Sequence, residues 1–202
     1  MARGIRSLAA SLLAATIVLA GCSGPEAAPP APERAAPDAG IQLFQLPWNS
    51  IADECENTLG PNGIAWVLTS PPQEHIIGDE WWVSYQPVSY QLESRLGTRQ
   101  EFAEMVTRCG SAGVDVIADA VINHMTGQDA PGAGWAGSAY EHYEYPGLYT
   151  DTDFHHCGLT GDDDIGDYDS AAQVQTCELV NLADLDTASP SVRETIGAYL
   201  DD

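Results

Sequence analysis

The sequence predicts an α/β fold in which short parallel strands alternate with helices. Three apolar runs of strand length, residues 41–45, 64–68 and 113–121, are separated by stretches with helical start and stop signals. This strand–helix–strand–loop–helix–strand order implies a parallel sheet with right-handed crossovers. The next stretch, from about residue 124 to 183, is rich in Gly, Asp, Tyr and His. Because irregular segments of this length are uncommon, we interpret it as an inserted small domain.

The first strand is predicted where residues 41–45 alternate between apolar and polar side chains. Ser50 is a residue type that caps helix N-termini, and Gly60 with Pro61 is a stop signal. The first helix is therefore predicted from Ser50 to about Leu59. The second strand, residues 64–68, is a short apolar run typical of a buried parallel strand.

A second helix is predicted after the irregular, Trp-rich stretch of residues 71–97. Thr98 and Glu101 have the spacing of a capping box, and the helix is expected to reach about Cys109. Residues 113–121 form the third predicted strand. Near the end of the sequence, Pro190 stands at the first position of a predicted helix that reaches about Leu200.

The N-terminus is typical of a bacterial export signal. Arg3 and Arg6 precede an apolar run over residues 8–20, which is too short to span a bilayer comfortably. The run ends in Leu-Ala-Gly-Cys, which resembles the lipobox of bacterial lipoproteins, in which the cysteine is lipidated after cleavage. Residues 1–22 are therefore interpreted as a lipoprotein signal, with Cys22 as a membrane anchor. The alternative is an ordinary secretory signal; residues 23–40 are an Ala/Pro-rich linker in either case.

The charge balance excludes several classes of partner. The 202 residues include 30 acidic side chains against seven arginines and no lysine, a net charge of −23. Nucleic-acid binding and docking on an anionic membrane surface both need clustered positive charge. Hydrophobic residues make up 44% of the chain, which indicates a folded core rather than an acidic disordered tail.

The cysteine count also agrees with export. Apart from Cys22 there are four cysteines, an even number that favours disulfides in an oxidising compartment: Cys55, Cys109, Cys157 and Cys177. Four cysteines allow three connectivities, and the residues alone do not select one. Their spacing is not typical of a zinc site.

The segment with the strongest chemical signal is residues 119–124, where the third strand meets a loop. Asp119, Asn123 and His124 place a carboxylate, an amide and an imidazole at the edge of a parallel sheet where ligands bind in such folds. These groups could bind a sugar hydroxyl or a hard cation. The alternative is a strand end capped by polar turn residues.

The string Asp-Ala-Val-Ile-Asn-His at residues 119–124 resembles the first signature region of alpha-amylases, glycoside hydrolase family 13. Four further strings resemble the family in the same order along the chain: residues 67–72, 81–90, 101–109 and 177–185. The resemblance covers residues 41–200 and is strongest to the secreted amylases shared by animals and some bacteria.

The resemblance implies that the chain is the N-terminal part of a (β/α)8 barrel, containing strands 1–3. The first part of the barrel would be residues 41–124, domain B residues 125–183, and the return to the barrel residues 184–202. It also implies the disulfides Cys55–Cys109 and Cys157–Cys177.

The resemblance further implies a substrate cleft for starch-type α-glucan. The aromatic platform would be Trp81, Trp82 and Tyr85, with the side-chain amide of Gln86 beside it. Asp119 and His124 would hydrogen-bond the sugar at the cleavage subsite. Sugar C–H faces pack on aromatic ring faces, which explains the residue types. The alternative for the aromatic side chains is a buried cluster.

A structural calcium ion is the cofactor that the resemblance implies. Its ligands here would be the amide oxygen of Asn123, the backbone carbonyl of Gln175 and the carboxylate of Asp184, which suits the oxygen preference of Ca²⁺. A further histidine ligand is expected beyond residue 202. The acidic run 162–167 has its glycine at the wrong offset for an EF-hand and is interpreted as a solvated loop.

Family hydrolysis is retaining and uses an Asp nucleophile, a Glu acid/base and a supporting Asp. All three are expected beyond residue 202, as is the arginine of a possible chloride site; Asp119, Asp184 and Asp186 do not match those motifs. The complete protein is thus predicted to be an exported, monomeric alpha-amylase that cuts internal α-1,4 bonds, while the 202 residues alone are expected to be inactive. The alternatives are a non-catalytic carbohydrate-binding lipoprotein and an inactive truncated product.

Overall fold

The computed structural model describes residues 39–202. The predicted signal, Cys22 and almost all of the predicted linker lie outside the described residues. The elements in chain order are β1 (Gly40–Gln42), α1 (Trp48–Glu54), a π-helical turn (Cys55–Leu59), β2 (Trp66–Leu68), a 3-10 helix (Trp81–Tyr85), α2 (Arg99–Ser111), β3 (Asp115–Ile117), β4 (Gly132–Ala133), β5 (Ala139–Tyr140), a second 3-10 helix (Asp151–Asp153), α3 (Ala171–Thr176) and α4 (Pro190–Asp201).

The three predicted strands form a parallel sheet in the order β1-β2-β3. Ile41, Val67 and Val116 share one register position across it. The strands are shorter than predicted, because the apolar runs continue past the point where the neighbouring strand turns away. The last bond between β2 and β3 joins the amide of Thr69 to the carbonyl of Ile117 at 3.0 Å.

Helix α1 begins at Trp48, two residues before the predicted start, and Pro47 rather than Ser50 occupies the N-cap. The reason is tertiary packing. Trp48 is completely buried, and its amide donates to the carbonyl of Leu96 at 3.0 Å. The predicted end is correct, since the π-helical turn ends at Gly60.

The predicted capping box at the start of α2 is confirmed. The amide of Glu101 donates to Oγ1 of Thr98 at 3.2 Å, and the amide of Thr98 donates to Oε2 of Glu101 at 2.8 Å. The helix continues two residues past the predicted Cys109 before Gly113 turns the chain toward β3 with a φ of +77°.

The long segment after β3 leaves the sheet and returns to the same place. The amide of Met125 donates to the carbonyl of Ala183 at 2.9 Å, and the amide of Leu185 donates to the carbonyl of Asn123 at 3.0 Å. The segment is not wholly irregular as predicted, since it contains the antiparallel β4–β5 hairpin and α3. Asn123 and Asp184 are brought side by side by this return.

Both disulfides that the family resemblance implied are present. Cys55–Cys109 joins the π-helical turn after α1 to the last turns of α2. Cys157–Cys177 closes the acidic loop against the end of α3.

Most of the buried apolar side chains of the described residues belong to two hydrophobic clusters. One lies between the sheet, α1 and α2 and includes Trp48, Met105 and the first disulfide. The other combines side chains from the loop after β2, the segment after β3, and α4. The segment after β3 therefore shares a core with its neighbours. No helix within residues 39–202 is long and apolar enough to cross a membrane.

Candidate functional site

The predicted substrate-binding residues follow the carboxyl ends of the parallel strands. Asp119 lies two residues after β3, and the 3-10 helix Trp81–Tyr85 belongs to the loop after β2. Phe44 lies two residues after β1. In parallel α/β folds this edge of the sheet is where ligands bind.

Three aromatic rings lie together at this edge. The ring centroids of Trp81 and Tyr85 are 6.0 Å apart, and Phe44 lies 5.7 Å from Trp81 and 6.4 Å from Tyr85. Trp81 is 56% exposed and Trp82 is 41% exposed, so the two indoles are not part of a buried cluster. Phe44 is an addition that the sequence reasoning missed; its position just after a strand end was the available signal.

Tyr85 connects these rings to the polar end of β3. Its hydroxyl donates to Oδ2 of Asp119 at 2.9 Å. Its backbone carbonyl is 3.0 Å from Nε2 of His124, and since a carbonyl can only accept, Nε2 carries the hydrogen. Burial and the neighbouring Asp119 raise the pKa of Tyr85 to about 12, which keeps the phenol neutral and donating. Burial lowers the pKa of His124, which favours a neutral imidazole.

Gln86 binds the start of the segment after β3. Its Oε1 accepts from Oγ1 of Thr126 at 2.9 Å and from the amide of Gly127 at 3.1 Å. The side chain of Gln86 therefore holds the loop after β2 against the residues that follow His124.

A strained residue lies beneath the aromatic rings. Gln45 has a φ of +58°, uncommon for a side chain of its size. Its amide donates to Oγ of Ser70 at 2.8 Å, and its Oε1 accepts from Ser84 at 3.2 Å. Such strain persists where surrounding contacts hold it, often at functional sites. The sequence gives no signal for it.

The three predicted metal ligands, Asn123, Gln175 and Asp184, line one cavity. Nδ2 of Asn123 donates to Oδ1 of Asp184 at 3.2 Å, and Gln175 lines the same cavity of about 410 Å³. His155, which the sequence reasoning missed, lies 2.6 Å from Oδ2 of Asp184 and 3.3 Å from Asp186. Burial raises the pKa of the Asp184 carboxyl, while His155 acts in the opposite direction.

This cavity contains oxygen donors, but the described residues do not form a cluster of several carboxylates around it. Within residues 39–202, no three His, Cys, Asp or Glu side chains are placed to hold a metal ion. The set that the resemblance implied contains one carboxylate only, the other donors being an amide and a backbone carbonyl.

The acidic run 162–167 is more structured than the solvated loop that was predicted. Oδ1 of Asp163 accepts from the amide of Gly158 at 2.8 Å, and Oδ1 of Asp164 accepts from that of Asn181 at 2.6 Å. The carboxylates of Asp162 and Asp167, which are exposed, also accept from backbone amides, those of Asp164 at 3.3 Å and Asp169 at 3.0 Å.

Comparison with known proteins agrees with this geometry. No family model matches the sequence. The chain is 47% identical to an alpha-amylase of Thermomonospora curvata over 98% of its own length, and 44% identical to an alpha-amylase of Streptomyces violaceus over all of it. It spans 34% of the length of each of these relatives.

The fold agrees as well. The crystal structure of alpha-amylase I from Eisenia fetida superimposes with a TM-score of 0.78 and 36% identity, over 82% of this chain and 35% of that one. A variant of that enzyme matches equally well in a complex with maltohexaose. The parallel β1-β2-β3 sheet is part of a (β/α)8 barrel. The chain belongs to the alpha-amylase family, glycoside hydrolase family 13.

Proposed function

We propose that the complete protein is an exported alpha-amylase that hydrolyses internal α-1,4 bonds of starch-type glucans. Residues 39–202 would supply part of its substrate cleft. The observation that carries the proposal is the position of Tyr85, between the exposed rings and the Asp119–His124 strand end. The alpha-amylase names of the two bacterial relatives support the activity, and the maltohexaose complex of the Eisenia fetida variant supports the substrate class.

The exposed rings suit a neutral, flat-faced ligand. The C–H faces of glucose are apolar, and the π-faces of Trp81 and Trp82 carry partial negative charge, so the two pack together favourably. Tyr85 and Phe44 support Trp81 from one side. A glucan strand would thus be stacked on the loop after β2, with Gln86 beside it.

Asp119 and His124 are proposed to bind hydroxyl groups of the sugar at the cleavage subsite. One carboxylate oxygen of Asp119 is occupied by Tyr85, and the other can accept from a sugar hydroxyl. The neutral His124 ring is oriented by the carbonyl of Tyr85. The platform and the polar groups are therefore held in one fixed relation, which favours a productive sugar orientation.

Bond cleavage in this proposal uses residues outside the present chain. A retaining glycosidase needs two carboxyl groups about 5–5.5 Å apart, one as nucleophile and one as acid/base. In the family these follow strands four, five and seven of the barrel. Asp119, Asp184 and Asp186 are proposed to have no covalent role. Asp119 accepts from Tyr85, and Asp184 and Asp186 both face His155.

The cavity lined by Asn123, Gln175 and Asp184 fits a calcium ion in its donor chemistry. A half-turn of the Asn123 amide would direct Oδ1 toward Asp184, giving an amide oxygen and a carboxylate oxygen side by side. Asn123 and Asp184 would hold the ion at the two ends of the segment after β3, and the ion would supply electrostatic stabilisation of that contact. His155 would hold the second carboxylate oxygen of Asp184.

Export and lipid attachment are proposed from residues 1–22. The short apolar run and the Leu-Ala-Gly-Cys string support cleavage before Cys22 and lipidation of its sulfur. Metabolic labelling with palmitate should mark the protein and should not mark a Cys22→Ala variant. Equal labelling of the two would exclude the anchor.

The activity can be tested on the full-length protein with a chromogenic maltoheptaoside. The proposal predicts internal cleavage and, by proton NMR, products that first appear as the α-anomer, as retention requires. The matched control is the 202-residue chain, which should not hydrolyse the same substrate. A full-length protein without hydrolysis, or with β-anomeric products, would contradict the proposal.

A further inference from the structure

Trp135 is a large apolar side chain that is exposed outside the site described above. It lies in the turn between β4 and β5, and 48% of its surface is accessible to solvent. Its indole centroid is 5.9 Å from the ring of the completely buried His75, at an interplanar angle of 40°. One side of the indole is therefore supported and the other faces solvent.

The turn that presents this indole is held by an unusual buried group. The side chain of Glu74 is completely buried, and its Oε1 accepts from the amides of Ala136 at 2.8 Å and Ser138 at 3.1 Å. The amide of Trp135 itself donates to the carbonyl of His75 at 2.9 Å. A buried carboxylate is stable only when its oxygens are satisfied, and here one of them holds the backbone that directly follows the indole. A ligand would thus meet a ring that loses little freedom on binding.

The backbone also connects Trp135 to the aromatic platform. The amide of Ile76 donates to the carbonyl of Gln86 at 3.1 Å, and Ile76 forms an antiparallel bridge with Gly134. Three segments therefore lie side by side, and two strand spacings put the backbone of Trp135 about 10 Å from that of Gln86. Gln86 directly follows the 3-10 helix that carries Trp81 and Trp82. The backbone that carries the exposed indole therefore lies close to the segment that follows the platform.

The chemistry of the chain limits what this indole can bind. A net charge of −23 and the absence of lysine disfavour nucleic acids and other polyanions. An indole that packs against His75 and is half exposed suits a neutral ligand with an apolar, C–H-rich face, as a sugar has.

We propose that Trp135 is a second stacking site for α-glucan, which binds the part of a long chain that extends beyond the Trp81–Tyr85 platform. The inference rests on the proposed function, since it assumes that the platform itself binds glucan. It adds a residue that favours long substrates over short ones.

The test compares full-length variants in adsorption to granular starch at 4 °C and in the KM for a chromogenic maltotrioside. Trp135→Ala should weaken adsorption about 2- to 10-fold, the range expected for loss of one stacking contact, and should change the maltotrioside KM less than that. Trp135→Phe keeps a ring and should recover most of the adsorption. The matched control is Ile77→Ala, which removes a 68% exposed aliphatic side chain from the adjoining segment, next to Ile76, and should leave adsorption unchanged.

A Trp81→Ala arm separates the two proposals. If Trp81→Ala weakens both readouts while Trp135→Ala adsorbs like the parent, the second site is wrong and the platform stands. If neither variant changes adsorption, the platform fails and the second site fails with it. Equal losses for Trp135→Ala and Trp135→Phe would show that the indole is needed for the turn and not for stacking, and would also overturn the inference.

Discussion

Glu74 is a carboxylate that serves the structure and not the chemistry of the cleft. Burial raises its pKa, but hydrogen bonds from Ser138, Ser89 and Ala136 together outweigh burial and hold the pKa below its usual value. A lowered folded-state pKa means that the ionised group stabilises the fold above the unfolded-state pKa of about 4.3. That contribution is lost as the pH falls through the folded-state pKa.

We therefore predict that Glu74→Gln destabilises the protein at pH 7 by about 1.5–3 kcal/mol, the usual range for hydrogen bonds to a charged group. The difference from the parent protein should shrink as the pH falls below the unfolded-state pKa of about 4.3 and on through the lower folded-state pKa, where the parent carboxylate also becomes protonated. Urea unfolding at several pH values measures both effects. Glu104→Gln, an exposed change on α2, is the control and should have little effect. A Glu74→Gln penalty that does not shrink as the pH falls from 7 to the acid limit of folding would contradict the assigned role of the charge.

Substitution of Asp184 tests the proposed calcium site. In the full-length protein, calcium in place of chelator should raise the melting temperature, because an ion that binds only the folded state stabilises it, by about 2.7 kcal/mol at 100 times its Kd. Asp184→Ala removes the charged ligand and should abolish most of that rise. Trp81→Ala and Asp167→Ala should keep it. A full calcium shift in Asp184→Ala would disprove the ligand assignment.

The sequence could indicate as site candidates those side chains whose chemistry is visible in a short string, and their binding of sugar stays a prediction. Tyr85 and Asp119 were both predicted to belong to one cleft, and the structure joins them by a hydrogen bond. Phe44 and His155 were missed because their roles depend on contacts with residues far away in the chain, Trp81 in one case and Asp184 in the other. The strain at Gln45 was not predictable from residue type, since polar side chains rarely adopt a positive φ without a tertiary cause.

At the scale of elements, local signals predicted helix ends better than strand lengths. The Thr98–Glu101 capping box fixed the start of α2 correctly, because its hydrogen bonds lie within four residues. The start of α1 was wrong, because burial of Trp48 against Leu96 is a long-range contact that Ser50 cannot reveal. Strand ends depend on where the neighbouring strand stops, and the third predicted strand, residues 113–121, was reduced to Asp115–Ile117 for that reason.

The two disulfides are predicted to differ in how much they stabilise the fold. Cys55–Cys109 closes 54 residues and Cys157–Cys177 closes 20. Loop-closure entropy then gives about 4 kcal/mol for the first and about 3 kcal/mol for the second. Replacing both cysteines of a pair by Ala should therefore cost more stability for Cys55 and Cys109, which are also completely buried between α1 and α2. Thermal unfolding of the two double variants checks the order, and a larger loss for the Cys157 pair would contradict it.

For the whole molecule, we distinguish the groups that this chain contributes from those that the rest of the family fold would contribute. The chain spans about a third of its relatives, and its three parallel strands are part of a barrel that needs eight. Within that third lie an exposed aromatic platform, the Asp119–His124 strand end and a cavity with calcium-type donors. The second hydrophobic cluster packs the loop after β2, the segment after β3 and α4 together, which holds these parts in one arrangement. In the proposed function, the nucleophile and the acid/base belong to the remaining two thirds of the family fold.

Covalent trapping of the full-length protein tests that division most directly. A fluorinated α-glucosyl fluoride that accumulates the glycosyl-enzyme, followed by peptide mapping, identifies the nucleophile. The account predicts a single labelled carboxylate beyond residue 202, with Asp119, Asp184 and Asp186 unlabelled. A label on any carboxylate within residues 39–202 would contradict it.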